Sequence, residues 1–273
     1  MNIGQAVLLG VVEGLTEFLP VSSTGHLLIT EHLLGLSNET TAERDALIGF
    51  TAVIQTGAIF AAVLYFLRDI VALVRSFVGG LVSSEKRAGG DFRFALAVGL
   101  GCLPIAVVGL LLKSVIKDID GSLLSVALGL ILFSAVFVVA ERRGRQEETD
   151  LSVRDGLVMG LAQCVALVPG VSRSGATISA GLLRGLDRVT ATRVSFLLGI
   201  PALLGAGLLS LGDATKNTTG TTATAVATIV SFVVGYASIA FLLRFVAGHR
   251  ITAFVPYRLL VGVAVLIGLA VNA

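Results

Sequence analysis

Long apolar runs separated by short polar connections dominate the chain. A helix that crosses the hydrocarbon core of a bilayer needs about 20 mostly apolar residues. Six runs reach that length, at roughly 47–67, 93–112, 121–140, 193–211, 222–246 and 253–271. A seventh apolar segment, 69–82, is shorter and starts with a charge, so it reads as an interfacial or membrane-dipping piece. Two more regions, 2–36 and 153–185, are apolar enough to enter a membrane but are interrupted near their centres. The interruptions are LPVSSTG at 19–25 and VPGVSRSG at 168–175. Proline ends a helix by steric clash and by its missing N–H. Backbone unwound at membrane depth survives only where protein buries it or where it lines a wet cavity. Both regions are therefore expected to be re-entrant helix–loop–helix hairpins, with a pair of kinked spanning helices as the alternative.

The pattern repeats at an offset of 150 residues. Gly10 falls on Gly160, and Val21, Ser22 and Gly25 fall on Val171, Ser172 and Gly175, while Glu13 meets Gln163 and Ser23 meets Arg173. Each interrupted region precedes three spans. A hairpin adds no crossing, so three crossings would invert the second copy and let the two broken tips meet near the midplane, as in inverted-repeat transporters. The expected fold is thus an all-α integral membrane protein, a single polytopic domain over 1–273. It would hold six transmembrane helices and two re-entrant hairpins, with a first repeat at 1–140 (hairpin 2–36) and a second at 153–273 (hairpin 153–185).

Composition agrees. Hydrophobic residues make up 55% and charged residues 14% of the 273 residues, against about 25% charged in an ordinary soluble domain, and mean hydropathy is +0.94. A formal charge of +2 gives no reason to expect a nucleic acid or another anionic polymer as partner. MNIGQAVLLG lacks a basic start and a small-residue cleavage site, so no secretory signal is expected. Cys102 and Cys164 lie in apolar runs and are expected to pack rather than to pair. The 32 glycines favour close helix packing. Of the 20 Lys and Arg, fourteen cluster on or near the 68–92, 141–152, 186–192 and 247–252 connections. Arg44, Lys113, Lys117 and Lys216 lie on the other side, and Arg173 and Arg258 fall within the apolar stretches. By the positive-inside rule the richer side is cytoplasmic. The 37–46, 113–120 and 212–221 loops would then face outward, as would the mouth of the first hairpin.

The chemistry concentrates at the interruptions. Glu13 and Glu17, four residues apart, share a helix face. Two carboxylates in hydrocarbon must share a proton, pair with Arg or hold a metal ion, and each of these outcomes is useful to catalysis. Beyond Pro20 come Ser22, Ser23 and Thr24, then Gly25 and His26. A helix start here would aim N–H groups at an anion, and an imidazole can move protons or attack phosphorus. The hydroxyls could equally be helix caps. The second interruption supplies Ser172, Arg173, Ser174 and Thr177, an anion clamp built around a guanidinium suited to bidentate phosphate binding. One hairpin bearing acids and candidate nucleophiles, opposite one bearing a cation, suits phosphoryl transfer.

EGLTE (Glu13 to Glu17), PVSSTGH (Pro20 to His26) and PGVSRSGAT (Pro169 to Thr177) together resemble the two signature motifs of the bacterial undecaprenyl-diphosphate phosphatases, the membrane family linked to bacitracin resistance. The likeness runs through the whole chain. It implies hydrolysis of undecaprenyl diphosphate to undecaprenyl phosphate and inorganic phosphate, which recycles the lipid carrier of envelope polymers such as peptidoglycan. It also implies residence in the bacterial plasma membrane, a site open to the periplasmic or outer face, a divalent cation (calcium or magnesium) and a homodimer. The family roles fall on Glu13, Glu17, Ser23, His26 and Arg173 for catalysis, with Glu13 and Glu17 at the metal. Ser22, Thr24, Ser172, Ser174 and Thr177 would bind substrate. Within that scheme Ser23 attacks or orients the attack, Glu17, alone or with Glu13, acts as base or shares a metal, and His26 is either a proton donor or itself the nucleophile. The rival reading is a transporter or flippase of a prenyl phosphate lipid or a small anion, which would also want Arg173 beside helix starts.

Overall fold

The computed structural model describes residues 1–36, 41–112, 122–209 and 220–271. Within them the chain is helical, and its one β-bridge joins Glu148 to Leu186. Of the outward loops expected at 37–46, 113–120 and 212–221, residues 37–40, 113–120 and 212–219 lie outside the described residues, as do Lys113, Lys117 and Lys216, whereas 41–46 is helical rather than loop.

Six helical stretches are long and apolar enough to cross a membrane: Ala46–Tyr65, Gly90–Leu111, Leu123–Arg143, Arg188–Leu208, Thr221–Gly248 and Ile251–Val271. All six expected runs are therefore helices, each within a few residues of its expected bounds. The elements are α1 (Ile3–Thr16), α2 (Ser23–Leu33), α3 (Thr41–Tyr65), α4 (Leu67–Val82), α5 (Ser84–Ala88), α6 (Gly90–Gly101) and α7 (Leu103–Leu111). After them come α8 (Leu123–Arg143), α9 (Val153–Val165), α10 (Arg173–Leu183), α11 (Arg188–Leu209), α12 (Thr221–Gly248), a 3-10 turn (Ile251–Phe254) and α13 (Val255–Val271). The second span breaks between α6 and α7 because Pro104 cannot donate to the Leu100 carbonyl. The expected interfacial segment is α4, whose Val71, Val74, Val78 and Leu81 are exposed. Cys102 and Cys164 are free thiols, as expected.

The interrupted regions form pairs of short helices, α1–α2 and α9–α10. The longest, α1, has 14 residues and rises about 21 Å at 1.5 Å per residue, short of the roughly 30 Å of a hydrocarbon core. Proline sets where each first helix stops. Pro20 cannot donate to Thr16, the last residue of α1, and Pro169 cannot donate to Val165, the last residue of α9.

The two pairs pack across the halves of the chain. α1 lies along α12, and α9 lies along α6. Both crossings rest on glycine: a Cβ at Gly10 would strike the Ala227 backbone of α12, and one at Gly160 would strike the Gly101 backbone of α6. These are the glycines matched by the 150-residue offset. α8 then runs beside both second helices, with Val126 against Gly25 of α2 and Phe137 against Gly175 of α10. Phe18, in the first interruption, packs edge-on against Phe196 of α11 with ring centroids 5.6 Å apart, and Phe66 meets the same ring at 5.8 Å. These contacts bring the two interruptions together in the interior.

Candidate active site

Beyond each proline the chain turns through a serine with positive φ, Ser22 at 77° and Ser172 at 78°. Such values are uncommon for a residue with a Cβ and cost about 1–3 kcal/mol each, so they persist only where the surroundings impose them. A helix restarts at the next residue in both copies, at Ser23 and at Arg173.

Glu17 joins the two interruptions. Its Oε1 accepts from Arg173 Nη2 at 2.9 Å, and its Oε2 accepts from the Ser23 hydroxyl at 2.5 Å. Glu17 is 7% exposed. In so dry a place an ion pair is screened little by solvent, and losing one partner leaves the other charge unpaid for. Room for the guanidinium comes from Gly199 of α11, where a Cβ would overlap Arg173 Nη1. One turn earlier on α1, Glu13 is fully buried and neither of its carboxylate oxygens has a hydrogen-bond partner. A buried polar group without a partner is costly. Two such oxygens beside a second carboxylate are therefore a suitable donor set for a hard divalent cation. No group of three or more His, Cys, Asp or Glu able to hold a metal occurs among the described residues. A cation here would thus complete its shell with substrate oxygens and water.

His26 is buried on α2. Its Nδ1 lies 2.8 Å from the Ser22 carbonyl and its Nε2 lies 2.8 Å from the Tyr257 hydroxyl. The remaining sequence candidates divide by location. The Ser172 hydroxyl accepts from Gly175 N at 3.2 Å and so caps α10, with the Ser174 hydroxyl 3.2 Å away. Ser174 donates to the Leu19 carbonyl of the other interruption. Thr177 is fully buried, with its hydroxyl 2.5 Å from that of Ser195, so its bonds run back into the protein. Ser22 makes no side-chain cap bond to α2, and Thr24 is exposed. Gln163, the counterpart of Glu13, is likewise fully buried with its amide unpartnered.

Sequence reasoning set Arg258 aside as embedded or ambiguous. It is fully buried and serves both interruptions. Its guanidinium donates to the carbonyls of Pro20 at 2.9 Å, Gly170 at 3.0 Å, Val171 at 3.3 Å and Gly129 at 3.2 Å, and Nε donates to Ser134 Oγ. The carbonyls of Pro20, Gly170 and Val171 lie one or two residues before the strained serines and that of Gly129 lies on α8, so Arg258 ties both bends to α8 and helps impose their geometry. The signal that would have found it is the one that found Arg173, a lone guanidinium in an apolar run. Nothing in the sequence pointed to Tyr257, Gly199 or Ser195, since each acts through a neighbour distant in the chain.

Away from this centre, ion pairs tie the connections on the Arg-rich side: Arg184 with Asp155, Arg188 with Glu141, and Arg193 with Asp69. Burial opposes the charge on Asp155, but bonds from Ser152 and Arg184 outweigh it and hold the carboxyl below its ordinary range.

Comparison with known proteins places this arrangement. Residues 6–264 match the family model described as bacitracin resistance protein BacA. The chain is 51% identical over 269 residues to undecaprenyl-diphosphatase 1 of Streptomyces avermitilis, covering 97% of this chain and 96% of the relative. It is 53% identical over 266 residues to undecaprenyl-diphosphatase 1 of Streptomyces coelicolor, covering 96% and 94%. It is 49% identical over 276 residues to the undecaprenyl-diphosphatase of Acidothermus cellulolyticus, covering 98% and 97%. With an acid, a hydroxyl and a guanidinium meeting where two interrupted helix pairs converge, and with its near-complete match to the family model, the chain belongs to the bacitracin resistance protein BacA family.

Proposed function

We propose that this multi-pass membrane protein is an undecaprenyl-diphosphate phosphatase, which hydrolyses the lipid diphosphate to undecaprenyl phosphate and inorganic phosphate. Family membership and the names of its relatives support that reaction. The observation that carries the mechanism is the bond from Ser23 to Glu17, with Arg173 on the second oxygen of the same carboxylate.

A nucleophile bonded to a base is the arrangement hydroxyl activation requires. As Ser23 Oγ forms its bond to the terminal phosphorus, its proton passes to Glu17. The bond from phosphorus to the bridging oxygen breaks, and its electron pair leaves with undecaprenyl phosphate. Water then attacks the phosphoserine and releases inorganic phosphate. Arg173 binds the terminal phosphoryl oxygens, where a fork of N–H donors offsets their charge. Glu13 and Glu17 would hold a divalent cation, calcium or magnesium, whose charge would further offset that of the diphosphate. Ser22, Ser174 and Thr24 lie along the same two interruptions and complete the head-group site, with Ser172 and Thr177 shaping α10 behind Arg173.

The re-entrant and inverted arrangement belongs to the same reading. The short helix pairs, the exchange of α1 onto α12 and α9 onto α6, and the matched glycines at both crossings support it. The distribution of Lys and Arg supports a plasma-membrane orientation with the site open to the periplasmic or outer face. A homodimer, implied by the same resemblance, is read from the mass of the purified protein in detergent.

The test is phosphate release from undecaprenyl diphosphate by purified protein, with and without a chelator. Wild type releases phosphate, Glu17→Gln and Arg173→Ala do not, and calcium or magnesium restores what chelation removes. No release by folded wild type under any of these conditions would overturn the reading in favour of lipid or anion transport.

A further inference from the structure

His26 is held at both ring nitrogens. A carbonyl oxygen only accepts, so the nitrogen facing it, Nδ1 at 2.8 Å from Ser22, carries a hydrogen. In the neutral ring the lone pair then sits on Nε2, which faces the Tyr257 hydroxyl at 2.8 Å. The two rings also stack, with centroids 5.5 Å apart and planes 13° from parallel. Tyr257 precedes Arg258 on α13, and Arg258 binds both interruptions. Adjacent residues of one helix thus hold the broken backbone and the histidine. Tyr257 itself is 46% exposed, so the hydroxyl–imidazole bond can open without disturbing the core.

We propose that Tyr257 is a positioning residue for His26: its hydroxyl aims and covers Nε2, keeping the imidazole in the Nδ1-protonated tautomer in the resting protein. This rests on the phosphatase reading only for its effect on turnover. Nε2 is the one ring atom left to meet substrate, and it meets substrate only once the tyrosine hydroxyl has swung aside. Ser23, already bonded to its base, is under no such cover. The arrangement fits His26 serving after substrate has entered, with Ser23 the group poised at rest.

Tyr257→Phe isolates the hydroxyl because it keeps the ring stack. The chain has 3 histidines, so protein labelled with 15N only in histidine gives few imidazole signals, and His26→Gln identifies the one from His26. Wild type is expected to show Nδ1 protonated and Nε2 bare but hydrogen-bonded. In Tyr257→Phe the Nε2 signal should move toward that of a free lone pair, and kcat should fall about ten- to a hundredfold, as when an orienting partner is lost, with KM changed less than about threefold. A wild-type His26 protonated at Nε2 alone would overturn the proposal. So would a Tyr257→Phe protein with the wild-type His26 signal, whatever its rate. The spectra need no substrate, so they decide the point even if no phosphate release is found. Failure of the phosphatase reading shows instead as inactivity of wild type toward undecaprenyl diphosphate.

Discussion

The two interruptions share a backbone and differ in chemistry. Each follows a proline that ends a helix, bends through a serine near φ 77–78° and restarts a helix at the next residue. At that residue one copy carries a hydroxyl, Ser23, and the other a guanidinium, Arg173. About two turns before its proline, the first copy carries Glu13 and the second an uncharged amide, Gln163. The difference teaches how two like bends can carry unlike chemistry. Two bends of like backbone bring two helix starts to one place, and single side chains make one the acid-bearing half and the other the cationic half. Glu17 is where they join.

Separating the halves at that junction should have the largest effect. On the proposed mechanism, Glu17→Gln removes the base along with the partner of Arg173, and Arg173→Ala removes the charge offset. Each should lower kcat/KM by about 10³-fold or more, the range for a base or a charge-stabilising donor, read as phosphate release. Equal losses in the double variant and in either single variant would show that the two act as a unit.

Removing the common support comes next. Arg258→Met strips donors from the carbonyls before both strained serines. It should lower stability by about 3 kcal/mol, the cost of leaving buried acceptors unpaired, seen as a fall in the detergent unfolding midpoint. Activity should fall with it even though no acid or hydroxyl of the site has changed. An unaltered midpoint would mean that the bends hold without Arg258.

A finer comparison sets Ser172 against Ser22. Ser172 caps α10 through Gly175 N, whereas Ser22 makes no side-chain cap bond to α2. Ser172→Ala should therefore cost about 1 kcal/mol more than Ser22→Ala in unfolding measurements. Ser22→Ala should show itself in KM rather than in stability. Equal midpoints for the two variants would place the serines in the same role.

The smallest effect lies at the entrance to α9. Asp155 has its carboxyl held below the ordinary value of 3.8 by Ser152 and Arg184. A depressed carboxylate contributes stability above its unfolded pKa and loses that contribution as pH falls through the folded value. Asp155→Asn should thus lower the midpoint at neutral pH by no more than the roughly 1 kcal/mol of a partly exposed pair. The gap from wild type should close below about pH 4. A gap that persists there would mean that packing, not charge, is what Asp155 supplies.

Much of this molecule was legible beforehand because hydrocarbon is a severe solvent. A span must be long and apolar, a proline removes a hydrogen bond to its i−4 residue and favours a break there, and a charge inside the membrane must have a reason. Those constraints are local in sequence. From them the six helices, both interruptions and the cost of placing Glu13, Glu17 and Arg173 in an apolar run can be read directly. The pattern could not show that Ser23 and Arg173 share one carboxylate, that Gly199 makes room for a guanidinium, or that Thr177 turns toward Ser195. It passed over Arg258, although the rule that flagged Arg173 applied to it, and gave no hint of Tyr257.

The sequence by itself determined which segments are helices, where they break and which polar groups need a partner, since each follows from the free energy of a short stretch in a given solvent. Only the tertiary structure decided the partners. Glu17 and Arg173, His26 and Tyr257, and Arg258 and the two bends are each separated by 87 to 238 residues in the chain. A hydrogen bond requires atoms within about 3 Å, and over such separations only the packing of whole helices brings them that close.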